Sequence, residues 1–154
     1  MVITGSGADM YLLFYKGTKE NPKSTWVDNT ICQVTQSKFS HVELAYRRTK
    51  DVYHCWSSSP RDGGVRQKDI DISSGKWEVV NIKRKQVKSE DWFMFEAATS
   101  TGYDYLGVVG TVIQYNWFNS KDKWFCSEIV AEALGKPESW RYSPEDLHKI
   151  YNVR

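Results

Sequence analysis

Covalent catalysis in this chain has few candidate residues: a cysteine at the head of an apolar segment, three histidines, and a glutamate two places after one of them. Cys126 lies in Lys123-Trp124-Phe125-Cys126-Ser127-Glu128-Ile129-Val130-Ala131-Glu132-Ala133-Leu134-Gly135. Read at helical period, Phe125, Ile129, Val130, Ala133 and Leu134 form one apolar face. Gly135 and Pro137 close the helix, since glycine accepts the left-handed C′ conformation and proline cannot continue the hydrogen-bond ladder. Cys126 therefore belongs in or just before the first turn, where unpaired amide N–H groups and the helix dipole favour a thiolate nucleophile. A lone cysteine is more often a small core side chain. A suitably placed histidine is what favours chemistry.

His41 occupies Ser40-His41-Val42-Glu43-Leu44-Ala45-Tyr46, a strand pattern whose side chains alternate between faces. His41, Glu43 and Ala45 share one face; Val42, Leu44 and Tyr46 form the core side. A thiol–imidazole pair commonly needs a third group to orient the ring, and His54 and Glu43 are the candidates. The register of the following hairpin decides between them, because a slip of one residue moves every side chain to the other face. With a four-residue loop, Arg47 to Lys50, Tyr46 pairs with Asp51 and Glu43 faces His54 beside His41. A five-residue loop puts His54 behind the sheet. The shorter loop is preferred here, with His54 as the third residue and Glu43 as the alternative. His148, next to Lys149, reads as a surface residue.

The elements that must position these groups follow from periodicity and punctuation. Met1 to Asp9 reads as a loose leader and Met10 to Tyr15 as a buried strand. Ser24 or Thr25 caps a helix running to Gln36. Strands are expected over Phe39–Tyr46, Val52–Ser57, Val65–Ile72 and Trp77–Ile82, with turns at Asp62-Gly63-Gly64 and Ser73-Ser74-Gly75. A helix begins at Ser89-Glu90-Asp91, an apolar helical stretch runs from Val108 to Tyr115, and Ser143-Pro144 caps a last short helix. This order predicts an α+β fold in one domain, residues 10–154, with an antiparallel sheet of about five strands packed against helices.

Composition narrows the function classes. The 154 residues suffice for one domain with a core. A net charge of +2, from 21 Lys and Arg against 19 Asp and Glu, gives no electrostatic case for nucleic acid. No apolar run reaches the roughly 18 residues of a membrane helix, and no secretory signal is visible. Three cysteines, Cys32, Cys55 and Cys126, show neither a disulfide framework nor zinc-ligand spacing. No metal or cofactor is expected, and the compartment expected is a reducing one such as the cytoplasm, or a virion or an export route independent of a signal peptide.

Three motifs together, Ser40-His41-Val42-Glu43-Leu44, Phe125-Cys126-Ser127-Glu128 and Ser143-Pro144-Glu145-Asp146-Leu147, resemble the circularly permuted branch of the NlpC/P60 papain-like superfamily. That branch includes lecithin:retinol acyltransferase-like proteins and bacterial and bacteriophage hydrolase-like proteins. The resemblance runs from about Met10 to Ile150, and Ser57 to Arg66 and Tyr103-Asp104 are most similar to the phage-type members. It implies a thiol hydrolase or acyltransferase acting on amide, ester or thioester bonds, with peptidoglycan stem peptides as the commonest substrate. Cys126 is then the nucleophile and His41 its base. The backbone N–H of Cys126 and the side chain of Tyr15 become oxyanion donors, and Trp56, Arg61 and Arg66 border the substrate groove. The competing reading is a non-catalytic virion or interaction protein on the same scaffold, since a fold does not certify an activity.

Overall fold

The computed structural model describes residues 9–16, 38–59, 62–83, 90–99 and 126–153. The expected leader over Met1 to Ala8, the helix ending at Gln36, Arg61, and the stretch from Tyr103 to Tyr115 lie outside the described residues. The described elements are β1 (Met10–Lys16), β2 (Phe39–Arg47), β3 (Val52–Ser59), β4 (Gly64–Asp71), β5 (Trp77–Lys83), α1 (Glu90–Thr99), α2 (Cys126–Ala133), a 3-10 turn (Ser139–Arg141) and α3 (Pro144–Tyr151). The fold is α+β, and the strands form one open antiparallel sheet in the order β4-β3-β2-β1-β5.

β1 and β2 lie inside the sheet and are covered on both faces, which accounts for the near-continuous apolar run at Met10 to Tyr15. One face carries the main core: Leu12, Phe14, Val42, Leu44 and Trp56 meet Ile129, Val130 and Ala133 of α2. The other carries a smaller cluster of Leu13, Ala45, Tyr53, Cys55 and Ile70. α2 packs on β2 and β3, and α3 on β2 and β5. A register shift where Tyr15 pairs with His41 and Lys16 with Phe39 leaves Ser40 as an extra residue. That bulge turns Phe39 into the same core as Val42, despite their odd spacing, and it adjoins His41.

Two of the helix termini expected from sequence have their stated geometry. Gly135 adopts φ 70°, the left-handed setting of a helix C-terminus. Ser143 and Asp146 form a reciprocal capping box at the start of α3, with Pro144 at its head. His148, expected at the surface, is instead docked. Its ring packs on Phe14 and Phe39 at centroid distances of 5.0 and 4.6 Å, and its Nε2 lies 2.6 Å from Glu78 Oε1. The aromatic pair under α3 provides an apolar seat, and Glu78 on β5 provides the polar partner the ring needs there.

The β2–β3 hairpin departs from the preferred register. Arg47 pairs with Tyr53 and Tyr46 with His54, so the loop holds the five residues Arg48–Val52. The Arg47 guanidinium donates to the carbonyls of Thr49 and Lys50, at 3.0 and 2.9 Å, and Val52 N donates to Thr49 Oγ1 at 3.2 Å. These bonds stabilise the longer loop, and the change of parity puts His54 on the face of Tyr46 and Trp56.

Leu44 is fully buried between the sheet and α2, whereas Phe95 is 63% exposed. Replacing Leu44 by alanine is expected to cost about 2–5 kcal/mol in urea unfolding. Phe95→Ala should stay within about 0.5 kcal/mol. Similar losses at both positions would contradict this packing.

Candidate functional site

Cys126 is the first residue of α2. The helix packs its apolar face on β2 and β3, which brings the thiol within hydrogen-bonding reach of the His41 ring. His41 is 13% exposed at its side chain, and Cys126 is 1% exposed. Their interaction is therefore weakly screened by water. Glu43, two residues along β2 and on the same face as His41, accepts from the ring: His41 Nε2 to Glu43 Oε1 is 2.6 Å. With Nε2 committed to a carboxylate, that nitrogen carries its proton and Nδ1 is left for the thiol.

Glu43 is completely buried, and a buried carboxylate requires compensation. Arg66 on β4 supplies it through a two-pronged contact, Nη1 to Oε2 at 2.6 Å and Nη2 to Oε1. Burial by itself would raise the pKa of Glu43, but the Arg66 guanidinium and then His41 outweigh it and hold it at about 2. Burial would lower that of His41, yet the charge of Cys126 and then that of Glu43 prevail and raise it to about 9. The described arrangement is a line: Cys126, His41, Glu43, Arg66.

The other sequence candidates fall differently. His54 is not part of this line: its Nδ1 lies 2.6 Å from Asp69 Oδ1 and its Nε2 3.3 Å from Gln67 Oε1, with its ring edge-on to Trp56. The alternative, Glu43, is the residue in contact with His41. Trp56, expected in a groove wall, is a fully buried core side chain beneath α2. Arg66, also expected in the groove, is turned inward onto Glu43, because that carboxylate needs a cation. Tyr15 is the cross-strand partner of His41 and packs on Trp77 at 5.0 Å.

Arg66 as the support of Glu43 was missed from sequence. The available clue was a glutamate on a strand with a buried face, which demands a cation from a neighbouring strand. Among the described residues, no group of three or more His, Cys, Asp or Glu side chains is placed to hold a metal ion, and no helix is long and apolar enough to cross a membrane. No protein-family model matches this chain, and no curated protein sequence matches it.

The Glu43 pKa sets an acid dependence. Because it is lowered from 4.5 to about 2 on folding, its stabilisation is present above pH 4.5 and is lost as the pH falls through 2. The full shift corresponds to about 3 kcal/mol. Glu43→Gln should therefore be less stable than the parent at pH 7, and the deficit should shrink steadily below pH 4.5. Urea unfolding at a series of pH values measures this; a deficit independent of pH would contradict it.

Proposed function

We propose that this protein is a cysteine hydrolase or acyltransferase on a permuted papain-like fold of the NlpC/P60 type, with Cys126 as nucleophile, His41 as base and Glu43 as the residue that orients His41. The observation that carries the reading is the position of the His41 ring, between a carboxylate at Nε2 and the thiol at the head of α2. A core cysteine needs no imidazole, and a structural histidine needs no thiol. Their conjunction with a buried carboxylate is the arrangement that nucleophilic acyl transfer requires.

In that chemistry His41 Nδ1 takes the proton of Cys126, and Sγ attacks the carbonyl carbon of an amide, ester or thioester. The Cys126 backbone N–H would donate to the developing oxyanion; such a donor is worth about 3 kcal/mol. Collapse of the tetrahedral intermediate breaks the bond to the leaving group, which departs with the proton held by His41. Water or another acceptor then attacks the thioester, His41 takes its proton, and the acid or transferred acyl product leaves with the thiol restored. The motif resemblance makes peptidoglycan stem-peptide amides of a bacterial cell wall the first substrate to test, and acyl thioesters the second.

Cys126 and Cys55 are equally hidden, at 1% and 0% exposure, so access does not separate them. Burial pushes the Cys55 thiol pKa up, and the Glu43 charge adds to this. Iodoacetamide at pH 7 should therefore modify Cys126 well ahead of Cys55 in the folded protein, and equal rates would count against the reading. On a hydrolysable substrate, Cys126→Ala should abolish turnover and His41→Ala should lower it by about 10²–10⁴. Glu43→Gln should cost up to about 10⁴-fold, as loss of an orienting carboxylate does. His54→Ala should remain within about a factor of two, as for a site with no shared partners. Full activity in a folded Cys126→Ala protein would overturn the proposal.

A further inference from the structure

Arg66 and Asp62 form a second tier behind the line from Cys126 to Glu43. The turn before β4 contains Gly63 and Gly64 at φ 79° and 128°, settings that a residue with a Cβ rarely adopts. The turn brings Asp62 back against the first residues of β4, where its Oδ2 accepts from Arg66 Nε and from Lys68 Nζ, each at 2.7 Å. All three nitrogens of the Arg66 guanidinium are then engaged, two on Glu43 and one on Asp62. A planar fork fixed on three sides has one orientation, and so does the carboxylate it grips.

We infer that Arg66, locked by Asp62, is a positioning residue of the thiol site: it holds Glu43 in the setting that takes His41 Nε2 and presents Nδ1 to Cys126. This rests on the proposed thiol reading. Glu43 has two oxygens and free rotation about its last torsion. Without the fork, a carboxylate can turn Oε1 away from the ring, and the imidazole then loses its fixed tautomer. This positioning effect of Arg66 on Cys126 passes through Glu43.

That route is tested by a double-substitution cycle on the alkylation rate of Cys126 by iodoacetamide, with Cys55 in the same molecule as reporter of loosening. Arg66→Met is expected to slow Cys126 about tenfold, in line with the loss of a supporting partner behind a reactive group, without accelerating Cys55, on whose thiol the Arg66 charge also acts. Arg66→Lys should recover part of the loss. In a Glu43→Gln background, adding Arg66→Met should produce no further slowing, because the residue it acts through is already gone. Asp62→Asn keeps the Glu43–Arg66 pair and so guards against an unfolded Arg66→Met protein. It should slow Cys126 by a smaller factor, and again only when Glu43 is present.

Equal slowing in both backgrounds, no slowing in either, or acceleration of both cysteines together would assign Arg66 a merely structural role and overturn the inference. Failure of the underlying reading is distinct: His41→Ala alone would then leave the reactivity of Cys126 as it is in the parent. In that case both fall.

Discussion

A carboxylate with no access to water sits near the middle of the sheet, and much of the local architecture follows from it. An isolated ionised Glu43 would be too costly to bury, so the fold surrounds it with an arginine fork on one side and an imidazole on the other. Breaking such a pair by removing one partner typically costs about 3–5 kcal/mol, while the intact pair contributes little net stability. The arrangement therefore contributes geometry more than energy. It sets which nitrogen of His41 faces away from Glu43, and α2 places Cys126 within reach of the ring.

Most of the scaffold was readable from sequence because its rules are local. The apolar run of β1, the alternation of β2, the glycine at the end of α2 and the Ser143–Asp146 box each depend on residues within a few positions of one another. The placement of Cys126 at the head of a helix and of His41 and Glu43 on one strand face came from the same short-range patterns.

What escaped was set across strands. The hairpin length between β2 and β3 was decided by Arg47 capping the loop carbonyls, and that one extra loop residue moved His54 to the far face. The inward turn of Arg66 depends on a glutamate two strands away, with Ser57 between them in the sheet. His148 is fixed by Glu78, 70 residues earlier in the chain. Neither Arg66 nor Glu78 is marked by spacing, and the full burial of Glu43, which Arg66 answers, was not evident from sequence. The alternative between His54 and Glu43 turns on register, and the pairing of β2 with β3 puts His54 on the face of Tyr46 and leaves Glu43 beside His41.

The account depends above all on electrostatic contact between Cys126 and His41, and this can be observed without a substrate. The measurement is the titration of the His41 imidazole by nitrogen and carbon NMR, in the unsubstituted protein and in Cys126→Ala. Because the charge of Cys126 is the foremost influence raising His41 against burial, the midpoint should lie near 9 in the parent and fall clearly when the sulfur is removed. A midpoint near 6.5 in the parent, or one that Cys126→Ala leaves unmoved, would show that thiol and imidazole are not coupled and would contradict the account.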